Sequence, residues 1–185
     1  MGWCFIRYTV HTCINILILI NMITVNQFRI TPDGLSIQIN LRADDTTILK
    51  SLTMYNHDDP STVYTITFDP GTNAVAIERL MADTGLKATM LYGSILSESD
   101  GTESTSLIAC SNIASMYHSL VDRVLDLYNY SDPLRQRITE PARKEDIMMI
   151  HSLMYAHTQA MYLERFNDAA YHYDLLINEF NRLRR

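Results

Sequence analysis

The fold is determined at the C-terminal end of the chain, where residues 141–185 read PARKEDIMMIHSLMYAHTQAMYLERFNDAAYHYDLLINEFNRLRR. Apolar residues recur here at steps of three and four, the spacing that places side chains on one face of an α-helix. The pattern restarts near Phe166, where Asn167 or Asp168 can cap a second helix. The segment therefore predicts two amphipathic helices folded back on each other. Their inward faces comprise Met149, Ile150, Leu153, Met154, His157, Ala160, Met161 and Leu163, then Ala169, Ala170, Tyr173, Leu176, Ile177, Phe180 and Leu183.

Several large side chains of this segment fall off the inward faces and leave apolar or amphipathic surface outside the predicted hairpin. Two interpretations stay open for them. They contact the rest of the chain, or they form a protein–protein interface, where Tyr and Met are over-represented. The candidate interface residues are Met148, Tyr155, Tyr162 and Tyr171.

A third helix is predicted upstream, over residues 112–130, with Ser111 as its N-cap. It ends before Pro133, because the residue that precedes a proline avoids the helical conformation. Residues 135–137 then form a basic linker, and Pro141 fits the first turn of the next helix. The apolar stripe of this third helix comprises Ile113, Met116, Tyr117, Leu120, Val121, Val124, Leu125 and Tyr128.

From Met22 onward the N-terminal half is typical of β-structure. The clearest strand covers residues 35–41, where apolar and polar residues alternate as they do in a half-buried strand. Asp33 and Gly34 precede it, and this dipeptide favours the positive φ angles of tight hairpin turns. The predicted inward row of the strand is Leu35, Ile37, Ile39 and Leu41.

The remaining β-structure is predicted from β-branched and aromatic content. Four further strands are expected, over residues 23–31, 46–55, 62–68 and 86–96. Residues 73–81 fit either a strand or a short helix. Residues 97–106 are the most polar run, and they predict an exposed loop that could become ordered only on assembly.

The first 21 residues form a separate, strongly apolar segment. Arg7 ahead of an apolar run is the charge order of a signal peptide, but no small-x-small cleavage site follows. The run is short for a membrane-spanning helix, and Asn15 and Asn21 interrupt it. Three interpretations stay open: a start at Met22 or a disordered leader, a buried strand or helix, and a membrane or export signal.

The charge of the chain is unevenly distributed. The net charge is −6, and eleven Asp and Glu residues face only five Lys and Arg residues between positions 22 and 105. Non-specific nucleic-acid binding needs positive charge to displace counterions, so this acidic part argues against it. Three arginines at the C-terminus are interpreted as favourable charge at the end of a helix. They are Arg182, Arg184 and Arg185.

The three cysteines are Cys4, Cys13 and Cys110, and no two of them have C-x-x-C spacing. An odd, sparse set supports neither a disulfide framework nor a zinc site. Synthesis in a reducing cytosol is the simplest interpretation.

No catalytic constellation is recognisable in the sequence. His151 and His157 are six residues apart, which does not align two metal ligands on a helix. There is no G-x-S-x-G elbow and no G-x-x-x-x-G-K phosphate loop. The sequence therefore predicts a protein that is not an enzyme and has no cofactor or metal. A small hydrolase stays as an alternative if a carboxylate converges on His57 or His118. The aspartates considered for calcium, without EF-hand spacing, are Asp44, Asp45, Asp58, Asp59 and Asp69.

Residues 156–173 resemble a tetratricopeptide-type helical hairpin. Ala160 and Ala169 supply small residues where the helices touch, and Tyr162 and Phe166 supply aromatic residues around the turn. The early Trp and the turn Gly of that family are missing, and the pattern occurs once, whereas a solenoid needs several repeats. The resemblance implies a hairpin of that shape and not a repeat protein.

The order of elements from Met22 resembles small virion structural proteins of tailed bacteriophages, especially the crAss-like group. Residues 29–37, RITPDGLSI, and the helix over residues 110–130 carry this resemblance. It implies a non-enzymatic subunit of the neck, tail or portal-proximal rings. Such a subunit is present in many copies in the virion and is made in the host cytoplasm.

Together these patterns predict an α+β protein. An N-terminal antiparallel β-sandwich of six or seven strands covers residues 22–109, after the leader, and a three-helix unit covers residues 110–185. The expected function is that of a virion structural protein, an oligomeric ring or adaptor subunit at the head–tail connector. Its expected partners are copies of itself and other virion proteins, without a membrane or sequence-specific nucleic acid.

The alternative function is that of an exported or surface β-sandwich binding module. A cluster of exposed aromatic residues on the β unit would support it, because such side chains commonly bind sugars. The residues concerned are Tyr55, Tyr64, Phe68 and Tyr92.

Overall fold

A computed structural model describes residues 18–20, 23–113, 116 and 133–183 of the chain. The α+β class predicted from the sequence is confirmed, since two antiparallel sheets precede two long C-terminal helices. The elements in chain order are β1 (Ile18–Ile20), β2 (Ile23–Ile30), β3 (Ser36–Ala43), β4 (Thr47–Asn56), β5 (Val63–Thr67), β6 (Ala74–Leu80), α1 (Met81–Thr84), β7 (Met90–Ser99), β8 (Thr102–Ser111), α2 (Pro133–Tyr162) and α3 (Phe166–Leu183).

The strands form a sandwich of two four-stranded sheets. The first sheet has the order β1-β2-β3-β6 and the second has the order β5-β4-β7-β8. Alternate residues of a strand point to the same face, so the facing rows of both sheets pack into one core. Its fully buried members are Ile23, Ile37, Ile39, Leu41, Leu49, Leu52, Met54, Leu91, Ile95 and Ile108.

The inward row predicted for residues 35–41 is correct except at its first position. Leu35 is 64% exposed, because β3 begins at Ser36 and Leu35 still belongs to the preceding turn. Two hydrogen bonds hold the Leu35 backbone, one from the turn and one from α1. Its N–H donates to the Asp33 carboxylate at 3.0 Å, and its carbonyl accepts from the N–H of Met81 at 2.9 Å.

Part of the predicted apolar leader belongs to the first sheet. Ile18–Ile20 form β1 and pair with β2 in antiparallel register, Ile20 lying opposite Ile23. For these three residues the structure agrees with the strand interpretation. Residues 1–17 and 21–22 lie outside the described part of the chain, and the other interpretations of the leader concern them.

The prediction that residues 97–106 form an exposed loop is wrong. They belong to β7 and β8, which pair along their whole length, and the segment is ordered within the chain itself. Asp100 and Gly101 make the two-residue turn with φ values of 50° and 75°, the positive angles that a type I′ turn needs. The sequence pattern missed these strands because polar residues face each other across them in place of an apolar row. Ser97 and Ser104, for example, face each other with their hydroxyls 3.0 Å apart.

The helix predicted to begin at Pro141 begins eight residues earlier, at Pro133. Both prolines satisfy the local rule, because the first turn of a helix has N–H groups without partners. Residues 135–137 are therefore helical and do not form a linker. Pro141 lies inside the helix, where it removes one backbone hydrogen bond.

The predicted helix over residues 112–130 lies almost entirely outside the described residues. At its start, the N–H of Met116 donates to the carbonyl of Asn112 at 3.1 Å, which is the helical i to i−4 pattern. Ser111, predicted as the N-cap, is the last residue of β8. Its hydroxyl is engaged elsewhere, as described below.

The predicted hairpin of the last two helices is confirmed, and it packs on the outer face of the second sheet. Two predicted inward residues, Met149 and Leu163, are instead exposed, because α2 buries only a narrow strip over residues 148–162 and Leu163 lies in the turn. The buried residues shared by this sheet face and the helices are Met90, Tyr92, Ile113, Ile150, Ala160, Ala169, Ala170, Tyr173, Leu176 and Phe180.

The turn between α2 and α3 is a Schellman motif. The N–H of Arg165 donates to the carbonyl of Ala160 at 2.8 Å, and the N–H of Glu164 donates to that of Met161 at 3.1 Å. Glu164 occupies the left-handed position with φ = 56°. Helices usually place glycine there, because a Cβ atom is strained at positive φ. Glu164 thus occupies the place of the turn glycine that the sequence lacks, and its backbone is strained there.

Replacing Glu164 with glycine is expected to stabilise the protein by about 0.5–1 kcal/mol, since relief of the left-handed strain exceeds the extra entropy of an unfolded glycine. Urea unfolding followed by circular dichroism measures the change. Glu164→Ala is the matched control, because it removes the same carboxylate and keeps the Cβ atom. Equal stabilities of the two variants would contradict the strain argument.

Candidate functional site

The four predicted interface residues all lie on the outer surface of the helices. Met148, Tyr155 and Tyr162 on α2 and Tyr171 on α3 are 61–68% exposed. The three α2 residues follow each other at seven-residue steps, so they share one helix face over about 21 Å. We call them the helical row. The row is the largest regularly spaced set of exposed apolar side chains in the described part of the chain.

The aromatic residues of the β unit do not form the exposed cluster that the alternative function requires. Tyr92 is buried under the helices, with its ring centroid 5.3 Å from that of Tyr55 and 6.4 Å from that of Phe166. Tyr64 and Phe68 pack against the sandwich core. The cluster does not form because the helical hairpin covers one end of the sheet face and the first sheet covers the other face.

His157 joins three elements at the junction of the sheet and the helices. Its Nδ1 lies 2.8 Å from the carbonyl oxygen of Ala169 on α3, and its Nε2 lies 2.8 Å from the hydroxyl of Ser111 on β8. A carbonyl only accepts, so Nδ1 carries the proton and the Ser111 hydroxyl donates to Nε2. Burial lowers the pKa of His157, and nearby His172 lowers it further while the Ala169 carbonyl opposes this.

A serine hydrogen-bonded to a histidine is also the first half of a nucleophilic dyad. Here the orienting partner of the imidazole is a backbone carbonyl and not a carboxylate, and His157 is only 2% exposed. The hydroxyl and the imidazole satisfy each other inside a packed junction. The arrangement therefore serves to hold β8, α2 and α3 together.

His57 forms a second link between the β unit and the helices. Its Nε2 lies 3.2 Å from Oδ2 of Asp174 on α3, and the rings of Tyr92 and Tyr173 flank it edge-on at 6.1 and 6.4 Å. This is the convergence of His57 with a carboxylate that the hydrolase alternative requires. Among the described residues, however, no hydroxyl or thiol hydrogen-bonds to His57. Within the described residues the pair is an ion pair or hydrogen bond between the β unit and α3.

Polar groups beneath this link fix the start of β7. Asn56 is buried, and its amide donates to the Lys87 carbonyl at 3.0 Å and to the Thr89 hydroxyl at 2.9 Å, while its oxygen accepts from the Lys87 N–H. Burial raises the pKa of Tyr173 to about 12, with a smaller effect from Asp58. Tyr173 is therefore a neutral phenol in the junction.

Some of the candidate metal ligands have partners within the chain, and Asp44, for example, accepts from the N–H and the hydroxyl of Thr46. Within the described residues, no group of three or more His, Cys, Asp or Glu side chains is placed to hold a metal ion. Asp59 accepts from Ser61 and Thr62, and these hydroxyls lower the pKa of its carboxyl. Asp58 faces Lys87 at 3.4 Å. Cys110 is buried, and burial raises the pKa of its thiol, which keeps it protonated at neutral pH.

The cationic C-terminus is partly described. Arg182 pairs with Glu179 on α3 at 2.8 Å and with Asp146 on α2, so it ties the C-terminal end of α3 to the middle of α2. Arg184 and Arg185 lie outside the described residues. Both partners of Arg182 therefore belong to its own chain.

Sequence patterns could not find the junction pairs. Ser111 and His157 are 46 residues apart and His57 and Asp174 are 117 apart, so no local spacing connects them. The only signal available was the type of residue, a histidine among apolar neighbours on the inward face of α2. That signal marked His157 as inward but did not identify its partners.

Comparison of the chain with known protein families and with curated sequences identifies no relative. None of the helices in the described part of the chain is long and apolar enough to cross a membrane. No model of a known protein family matches the chain, and no curated protein sequence matches it either.

Proposed function

We propose that the chain is a non-enzymatic assembly subunit that binds a neighbouring copy of itself through the helical row. The observation that carries this proposal is the exposure of Met148, Tyr155 and Tyr162 at seven-residue steps on one helix face. A row with this spacing offers a continuous seam to a partner helix. Complete burial of each such side chain would contribute roughly 1.5–3 kcal/mol to association.

The junction chemistry supports a role without catalysis. The serine–histidine pair of Ser111 with His157 is enclosed and holds the fold together. The sequence resemblance to small phage virion proteins is the second support for the proposal. We therefore extend the proposal to an oligomeric ring or adaptor subunit of a phage neck or tail, which also contacts other virion proteins.

The test replaces the helical row in the full-length chain with serine, as M148S, Y155S and Y162S together. The wild-type chain is expected to form an oligomer at tens of micromolar, and the triple variant is expected to have a smaller mass by native mass spectrometry. The row is exposed, so at a dilution where both chains are monomeric the variant should unfold at the same urea concentration as the wild type.

Leu35→Ser is the matched control, because Leu35 is equally exposed but lies in the β2–β3 turn. It should leave the oligomer unchanged. A wild-type chain that stays monomeric alone and with its neighbouring virion proteins would overturn the proposal. So would a triple variant with the same oligomeric mass as the wild type.

A further inference from the structure

Within the described residues, strand β5 is an open edge of the second sheet, because it pairs with β4 and with no other described strand. Natural sheet edges are usually protected by charges, prolines or bulges. Val63–Thr67, VYTIT, contains no charged residue and no proline, and it pairs with β4 without a register shift. Strand β8, the other edge of this sheet, carries Glu103, and of the two edges of the first sheet β6 carries Glu78 and Arg79 while β1 has only three residues. Charges and a very short strand both protect an edge, so β5 is the least protected of the four described edges.

The hydrogen-bonding groups on the open side of β5 follow from its pairing with β4. The N–H of Phe68 donates to the carbonyl of Lys50 on β4 at 2.9 Å. Amides alternate direction along an antiparallel strand, so those of Ile66 and Tyr64 also face β4. The N–H and C=O groups of Val63, Thr65 and Thr67 therefore face outward.

We propose that β5 pairs with β5 of a second copy of the chain, antiparallel, around a two-fold axis at Thr65. This joins the two second sheets into one continuous sheet. Thr65 lies opposite itself, and Val63 lies opposite Thr67 of the other copy. All the outward-facing amides then meet outward-facing carbonyls, because the three open residues are symmetric about Thr65.

The side chains agree with this register. Tyr64 and Ile66 point toward the sandwich core but are only partly buried at the open edge. In the paired arrangement each lies opposite the other across the axis, at positions without direct backbone hydrogen bonds, where side chains are closest. Association buries apolar surface of Tyr64 and Ile66 that is partly exposed in the monomer.

The charges around the strand do not oppose the pairing. Asp59 accepts hydrogen bonds from Ser61 and Thr62, and Asp58 faces Lys87 within its own chain. Asp69 follows the strand and would lie opposite Ser61 of the second copy. No two acidic residues face each other directly in this register, so a second copy fits the edge better than an acidic partner strand does.

This contact uses a surface on the β-sandwich and is independent of the helical row. Thr65 itself supplies the sharpest test, because any charge placed there faces its own copy across the axis. Thr65→Lys and Thr65→Glu are each expected to weaken self-association of β5 about tenfold or more, since like charges directly opposite each other repel. An equimolar mixture of the two variants should recover association as a heterodimer.

Sedimentation velocity of the full chain, in the triple-serine background that removes the helical row, measures the dimer. Native mass spectrometry with one variant labelled with nitrogen-15 identifies the heterodimer. Thr53→Lys is the matched control, because it loses the same hydrogen bond between the Thr53 and Thr65 hydroxyls (3.1 Å) and adds the same charge one strand inside the edge. It should retain the wild-type dimer.

A background chain that stays monomeric at several hundred micromolar would overturn the proposal. Thr65 variants that dimerise as the background does, or a mixture that stays monomeric, would overturn it as well. If Thr65→Lys does not fold, Val63→Lys mixed with Thr67→Glu tests the same register, because these two positions face each other across the axis. Loss of the helical-row oligomer alone would leave this result unaffected, so the two proposals fail separately.

Discussion

Replacing Gly93 with valine is expected to lower the free energy of unfolding by about 3 kcal/mol, the upper part of the range for overpacked cores. Gly93 lies in the middle of β7 and faces the core. A Cβ atom built there would lie 2.8 Å from Ile108, 3.0 Å from Phe28 and 3.1 Å from Leu52. One flexible side chain could move aside, but these three come from three strands and surround the position together.

Position 93 therefore requires glycine because of side-chain packing and not because of its backbone conformation. Phe28 belongs to the first sheet, and its ring reaches the second sheet only because Gly93 has no side chain. Gly93→Ala gains some stability from the reduced entropy of the unfolded chain, about 0.4–1 kcal/mol. The clash is the larger effect, so the alanine variant is also expected to be less stable than the wild type.

Urea unfolding followed by circular dichroism measures both variants. Ser94→Val is the matched control, since Ser94 is the next residue of β7 and points to the opposite, partly exposed face. Its effect should stay within about 0.5 kcal/mol, as for most surface substitutions. If Gly93→Val and the wild type unfolded at the same urea concentration, Phe28 would not cross the core at this position.

Local periodicity predicted those parts of the fold that have a uniform environment. The alternation through Ile37, Ile39 and Leu41 predicted β3, because one face of that strand is buried along its whole length. The three- and four-residue spacing of the inward faces likewise placed Tyr155 and Tyr162 on the outside of α2. Both patterns follow from geometry that each segment has on its own.

The errors arose where composition and geometry disagree. Asp100 and Gly101 carry the same turn signal as Asp33 and Gly34, yet the serine and threonine around them suggested a loop. Two prolines satisfied the same helix-start rule, and local sequence does not choose between them. The role of Gly93 depends on Phe28 from another sheet, so no neighbouring residue could indicate it.

The pH dependence of stability is the second large effect, and it originates at His157. The imidazole is buried with its Nδ1–H donated to Ala169 and its Nε2 accepting from Ser111, so the neutral form is the one that fits. Burial lowers its pKa in the folded state, and His172 adds repulsion. In the unfolded chain the pKa returns to about 6.5.

The sign follows from the protons bound by each state. Below about pH 6.5 the unfolded chain binds a proton at His157 that the folded chain does not, so stability falls as the pH falls. The slope approaches roughly 1.4 kcal/mol per pH unit until the folded-state pKa is reached, and above pH 6.5 it vanishes. The carboxyls of Asp33, Asp44 and Asp59 have lowered pKa values and titrate in a separate, more acidic range.

His157→Gln separates the titration from the hydrogen bonds. Glutamine cannot titrate, and it restores at most part of the hydrogen bonding, so we expect a loss of about 2–3 kcal/mol at pH 7.5. The slope between pH 5 and 6.5 should become smaller in the same variant. The wild-type slope over the same pH range is the reference. If His157→Gln kept that slope while losing stability, His157 would hold the junction without being its acid-sensitive group. If neither stability nor slope changed, the links from α2 to β8 and α3 would not support the fold.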